Sequence, residues 1–148
     1  MKLNYRTFLP LFLFFLFIAW HPVPANEVSI TITGFRNDRG QVLISLFKDG
    51  DGYPDKPEKA FRKSKATIVS GNKAIISFTG LPPGNYAAVV LHDENSNLKM
   101  DKNWLGLPKE GYGFSNNVMG NFGPPGFSKA SFQHESDKQT TITIKLRY

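Results

Sequence analysis

The period of the apolar residues is what most constrains this chain. Wherever they recur regularly, they recur at every second position. Val28, Ile30 and Ile32 alternate with Ser29, Thr31 and Thr33. Val42, Ile44 and Leu46 form the next apolar face, and Leu43 and Phe47 imply partial cover on the opposite one. Ile142, Ile144 and Leu146 alternate with Thr141, Thr143 and Lys145. An extended chain points successive side chains to opposite faces, so each run is a strand with one dry face and one wet face. No segment after residue 25 carries a long helical period.

Gly, Pro, Asn and Asp bound these runs, as turn residues do. The predicted strands are 28–33, 42–47, 65–69, 73–78, Tyr86–His92, 129–133 and 140–146. Gly71-Asn72 tolerates positive φ and predicts a tight hairpin between the third and fourth. Pro57 to Phe61 can hold one helical turn, with Pro57 in first place. The Leu81-Pro82-Pro83-Gly84-Asn85-Tyr86 run predicts a corner whose tyrosine caps the core and donates its hydroxyl to a loop carbonyl. The expected fold is all-β: a single antiparallel β-sandwich of about seven strands, Ig-like or prealbumin-like, with one long ordered loop. Loops alternate between the ends of such a sandwich. The 93–128 loop should therefore share an end with the 37–40 and 71–72 turns, while 49–55 lies at the other end near Leu81 to Tyr86.

The first 25 residues follow another logic. Lys2 and Arg6 precede an uncharged apolar run from Phe8 to Trp20, and Val23 and Ala25 stand where signal peptidase accepts small residues. A membrane-spanning helix needs about 20 apolar residues, and this run is shorter. Residues 1–25 read as a signal peptide and 26–148 as the β-sandwich domain, exported to the periplasm or secreted, with no transmembrane span after cleavage. Loss of the signal's two cations takes the formal net charge from +6 to +4. That balance is modest and the cations are scattered, so a nucleic-acid partner is set aside. The chain has no cysteine, which excludes disulfides, thiolate metal sites and a cysteine nucleophile. A monomer is expected.

The long 93–128 connection is the informative segment. Loops beyond about 15 residues are usually functional or disordered. This one carries Trp104, Leu105, Leu107, Tyr112, Phe114, Phe122 and Phe127, too aromatic for disorder. Asp93, Asn95, Asn97 and Asp101 stand at positions 1, 3, 5 and 9 of a calcium loop, and the Lys99 carbonyl would serve position 7. Leu98 replaces the turn glycine and Trp104 the closing carboxylate, which leaves Glu110 as the nearest substitute. Two readings stand side by side: a weak calcium site, or Asx turns without metal. Further on, Tyr112, Phe114, Ser115 and Asn116 either line a small binding groove or form a satellite core beneath the loop.

The chain resembles an uncharacterised family of small exported bacterial proteins, known only as a domain of unknown function. The carriers are the Gly34 to Gly40 hairpin, the Leu81 to Tyr86 corner, His92-Asp93-Glu94-Asn95, and Gly111-Tyr112-Gly113-Phe114-Ser115-Asn116, with Phe122-Gly123-Pro124-Pro125. The resemblance implies a prealbumin-like or carboxypeptidase-regulatory-like sandwich in the cell envelope, and no established activity.

Catalysis has little support. The Gly-x-Ser-x-Gly elbow is absent. Beyond residue 25 only His92 and His134 remain, too few for a histidine-based zinc site. His134, beside Glu135, is expected at solvent. An envelope hydrolase would use His92 with Asp93 or Glu110. The preferred reading makes His92 a loop organiser, its ring bonded to backbone carbonyls. The chain is then a non-enzymatic module whose 93–128 loop binds an envelope or extracellular ligand or is stabilised by calcium.

Overall fold

The computed structural model describes residues 26–69, 72–121 and 123–148. The signal peptide expected at 1–25, and the roles read into Gly71 and Phe122, lie outside the described residues.

The described residues form eight strands: β1 (Glu27–Thr33), β2 (Gln41–Lys48), β3 (Arg62–Ala66), β4 (Lys73–Thr79), β5 (Gly84–Asp93), β6 (Gly111–Phe114), β7 (Phe132–His134) and β8 (Gln139–Lys145). They form one sheet in the order β4-β1-β8 and another in the order β3-β2-β5-β6, with β7 also paired to β5. Val28, Ile30 and Ile32 of β1 face Val42, Ile44 and Leu46 of β2 and Ala88 and Val90 of β5 across one core, all essentially without exposure. Burying each such aliphatic side chain contributes about 1.5–3 kcal/mol. Among the described residues, the eight strands and both apolar clusters fall between Glu27 and Leu146.

The alternation thus leads to two packed sheets, but several details depart from expectation. There are eight strands rather than about seven, because Gly111–Phe114, expected as loop, adds to the free edge of β5. The smaller sheet is mixed: β4 runs antiparallel to β1, whereas β8 runs parallel to it, from Glu27↔Gln139 to Thr33↔Lys145. The cause is that β7 belongs to the other sheet and delivers the chain to the end where β1 begins. The run expected as a strand from 129 begins instead as a helical turn, α1 (Phe127–Ala130), followed by β7.

The predicted hairpin between the third and fourth strands also fails. Only an isolated bridge between Val69 and Lys73 survives of it. β3 pairs with β2, from Val42↔Ala66 to Leu46↔Arg62, while β4 pairs with β1 along its whole length. By parting, each strand extends a different sheet. β3, with Arg62, Lys63 and Lys65 exposed, becomes a charged sheet edge, the kind that resists pairing with another chain.

The corner is as expected: Tyr86 is fully buried and its hydroxyl donates to the Pro82 carbonyl at 2.6 Å. His134 is not at solvent. It is buried, with Nδ1 on the Thr140 hydroxyl and Nε2 on Asn26 Oδ1, because β7 tucks it beneath the ring of Tyr86, 6.2 Å between centroids. The arrangement of ends matches for the first part of the 93–128 connection, whereas its later part reaches the 49–55 loop, where Phe127 packs beside Gly50 and Tyr53. Gln41 pairs with Asp93 at one end, and Asp49 donates its N–H to Asn85 at the other.

Two tyrosines give opposite expectations. Tyr86→Phe removes a made hydrogen bond and should cost about 1 kcal/mol in denaturant unfolding. Tyr53 lies among Phe47, Phe114 and Phe127, and its buried hydroxyl has no partner among the described residues. Tyr53→Phe should therefore be neutral or stabilising. Burial, with a smaller contribution from the Asp55 charge, pushes the Tyr53 phenol up from 10.0 to about 12. The unfolded chain loses this proton first, so stability should fall between pH 10 and about 12. Tyr53→Phe should flatten that alkaline limb.

Candidate functional site

The site is the segment 93–110, which leaves the end of β5 and returns as β6. Its root is Asp93, fully buried and paired with Gln41, whose side-chain amide donates to Oδ2 at 2.8 Å. The same carboxylate accepts the N–H groups of Asn97 and Leu98, each at 3.0 Å. Those bonds force the sharp bend. Leu98, standing where a glycine would be easiest, takes φ of 67°, a conformation that costs a branched residue energy. Asn95 Oδ1 also accepts the Asn97 N–H, and Asn97 Oδ1 accepts the N–H of Lys99. The amides of Asn95 and Asn97 each donate to the Asp101 carboxylate, at 2.7 and 3.0 Å. Asp93, Asn95, Asn97 and Asp101 therefore share one hydrogen-bonded turn, with the Lys99 side chain exposed. Among the described residues no three His, Asp or Glu side chains are grouped as a metal site.

Glu110 closes the segment by another route. It is buried, and its two carboxylate oxygens accept the N–H of Glu94 at 2.9 Å and of Asp101 at 3.0 Å. One side chain thus ties together the two arms of the loop. The sequence offered Glu110 as a catalytic acid or a metal ligand, and the fold uses it as a brace. Gly40 packs against this root in the left-handed region, φ 71°, where an added Cβ would fall 2.0 Å from the Asp93 carbonyl oxygen.

His92 sits directly behind, fully buried. Nε2 lies 2.8 Å from the Arg39 carbonyl, which only accepts, so Nε2 carries the hydrogen. Nδ1 lies 2.8 Å from the Tyr148 hydroxyl, and that hydroxyl accepts the Arg36 N–H. Both ring nitrogens are occupied, one by a backbone carbonyl and the other by a side-chain hydroxyl where a second carbonyl was expected.

Sequence reading missed Glu94, Arg36 and Tyr148. Glu94 accepts Asn37 Nδ2 at 2.7 Å and forms ion pairs with Arg36 at 2.6 Å and Arg39 at 3.4 Å. Burial would raise its carboxyl, but the hydrogen bonds from Asn37 and Arg36, with the Arg36 charge, outweigh it and hold the group below the usual carboxylate range. Arg36 stacks over the Tyr148 ring, 4.6 Å from its centroid. Arg36, Arg39 and Glu94 line an open basin of about 180 Å³ with Asn95, Asp101, Lys109 and Glu110, smaller than the ~300 Å³ at which small-molecule pockets begin.

The second half of the connection packs inward. Phe114 joins Ala87 and Ala130 in a second cluster, with Tyr112, Tyr53, Val118 and Phe127 against it. Gly111 leaves room for the Tyr148 ring, which an added Cβ would meet at 2.4 Å. Buried Ser115 accepts the Ala88 N–H at 2.9 Å and donates to the Ala130 carbonyl. The Asn116 amide reaches the Lys129 and Ser131 carbonyls. Tyr112, Phe114, Ser115 and Asn116 are thus brought together as a satellite core and its staples.

Beyond the brace the loop changes character. Lys102 bridges to Pro108, and Asn103 Oδ1 accepts the N–H groups of Leu105 and Leu107. This makes a tight, ordered tip whose apolar side chains point away from the domain: Trp104 is 90% exposed, Leu105 60% and Leu107 56%.

Glu110→Gln should expose how far the segment depends on its brace. An amide leaves one of the two N–H donors facing another donor, for a loss of about 1–3 kcal/mol in denaturant unfolding. Hydrogen exchange at the Glu94 and Asp101 amides should quicken, while exchange in β1 and β4 keeps its order.

No curated protein matches this chain. A solved structure similar to it is that of a fimbrial assembly protein from Parabacteroides distasonis ATCC 8503, 11% identical, with a TM-score of 0.41, covering 83% of this chain and 53% of that one. The chain thus spans about half the length of that protein. The model of the family described as "Uncharacterized protein conserved in bacteria (DUF2141)" matches residues 30–143, most of the length, and the chain belongs to that family.

Proposed function

We propose that this chain is an exported, non-enzymatic β-sandwich module of prealbumin-like type, monomeric, working in the periplasm or outside the cell, with the 93–128 connection as its recognition surface. The observation that carries this reading is the contrast within that connection. Its base is buried and braced by Asp93 and Glu110, yet its tip holds Trp104, Leu105 and Leu107 in the open. A connection built only to pack would bury those side chains, since exposed apolar groups forgo the stabilisation of burial. The placement of His92 supports this reading over an envelope hydrolase using His92 with Asp93 or Glu110. A general base needs a ring nitrogen free for substrate, whereas both nitrogens of His92 are engaged and the ring is buried.

The test is site-specific photo-crosslinking of the exported protein, with the reactive residue placed at Trp104 or at Asp137, which lies at the opposite end of the sandwich. Adducts should form at position 104 and not at 137. Equal yields, or none at either, would end the reading.

A second reading keeps calcium as a stabilising ion. The oxygens of Asp93, Asn95, Asn97 and Asp101 already converge on one turn, and rotation of the two amides would present their oxygens in place of their N–H groups. With few carboxylates the affinity would lie near the millimolar range of extracellular modules. Calcium titration should raise the melting temperature with concentration, and Asp101→Ala should abolish the rise. A flat response at several millimolar leaves Asx turns as the whole account.

A further inference from the structure

We propose that the 102–108 tip is a membrane-docking element that seats in the headgroup layer of an anionic phospholipid bilayer. The proposal rests on the recognition surface described above and gives its partner a chemistry.

Shape comes first. The tip is a projection, not a groove. Asn103 N–H donates to the Leu107 carbonyl, Gly106 N–H to the Asn103 carbonyl, and the Asn103 side chain takes two more N–H groups. The turn's backbone donors are therefore largely satisfied within it before it meets anything, which is what lowers the cost of entering a less polar medium. A projecting apolar turn needs no shaped pocket, and a fluid headgroup layer supplies none.

The residue types come second. Trp104 at the crest, 90% exposed, is the residue that favours a bilayer interface, with an apolar ring and one polar N–H. Leu105 and Leu107 flank it at 60% and 56% exposure, and Leu98 at 66% stands on the neighbouring turn.

Charge decides which bilayer. Lys99, Lys102 and Lys109 are exposed around the tip, and none is ion-paired among the described residues. The acids of the segment are each engaged within the fold. Asp93 and Glu110 are buried, and Glu94 is answered by Arg36 and Arg39. The one remaining carboxylate, Asp101, is held by the amides of Asn95 and Asn97. An apolar crest within a collar of unpaired lysines complements an anionic headgroup surface, where lysines near the plane add attraction that salt screens.

The test uses the exported protein of the proposed function, residues 26–148 after signal cleavage, in which Trp104 is the sole tryptophan. Vesicles rich in phosphatidylglycerol are compared with pure phosphatidylcholine. Phosphatidylglycerol should shift the tryptophan emission to the blue, shield it from an aqueous quencher and carry the protein upward in flotation, all weakened by added salt. Leu105→Ser with Leu107→Ser keeps the fluorophore and should reduce binding at least about tenfold. Lys102→Gln with Lys109→Gln should remove the preference for phosphatidylglycerol. These side chains are exposed, so the melting temperature should hold in every variant. An unshifted emission with a folded protein overturns the proposal, and so does equal binding by the Leu105→Ser, Leu107→Ser variant. Crosslinks from position 104 that carry protein instead of lipid overturn the lipid assignment and leave the recognition surface standing. No crosslink at 104 ends both.

Discussion

Strand β5 is the member on which the core and the site both depend. One edge pairs with β2 from Gln41↔Asp93 to Lys48↔Tyr86. The other edge is shared between two short strands, β6 against Val89 to His92 and β7 against Gly84 to Tyr86. Its inward face carries Tyr86, Ala88 and Val90 into the main core. Its far end delivers His92 and Asp93, buried, to the root of the projecting loop. With no disulfide available, the rigidity of that loop is inherited through this strand from the apolar contact between the sheets. A change that loosens β5 would reach the tip without touching it.

The two halves of the projecting segment obey different physics. At the root, polar groups are buried and must be matched, because an unmade hydrogen bond there costs the full desolvation of the group. Asp93, Glu94 and Glu110 meet that demand with backbone N–H groups, amides and guanidinium groups. At the crest the backbone is closed on itself by Asn103, and the side chains are apolar and open. A loop apolar throughout would collapse onto the sandwich. A loop polar throughout would have nothing to bury on contact. The polar root is what keeps the apolar crest standing away from the core.

What the sequence made legible is what is local. Alternation located β1, β2 and β8, because period two is a property of each strand alone. The Pro82-Pro83 corner with its buried tyrosine, and the pairing of loop ends, followed from turn chemistry and antiparallel geometry. What it hid depends on partners. Gly71-Asn72 is a sound hairpin signal, yet β3 and β4 pair into different sheets. The parallel run of β8 beside β1 is decided by where β7 leaves the chain. β6 is short and half glycine, and only the free edge of β5 makes it a strand. Asp93, Asn95, Asn97 and Asp101 do share one hydrogen-bonded turn, but Glu110 as a brace, Glu94 as the centre of an ion cluster and Tyr148 against His92 were invisible. Each is defined by groups distant in the chain, and nothing in its own neighbourhood announces it.

The charge distribution carries this further. Counted along the chain, the acids and lysines of 93–110 are interleaved and nearly balanced, and the formal total says nothing about any partner. Folding separates them. The carboxylates are drawn inward because ionised oxygens are the strongest acceptors for the N–H groups that a sharp turn leaves unpaired. Lysines offer no acceptor and pay heavily for burial, so they stay outside on flexible stems. The same backbone requirement that recruits Asp93 and Glu110 to the root therefore leaves Lys99, Lys102 and Lys109 as the charges a partner meets. The cationic collar around Trp104 is thus a by-product of satisfying the turn, and it gives a nearly neutral stretch of sequence a positive face.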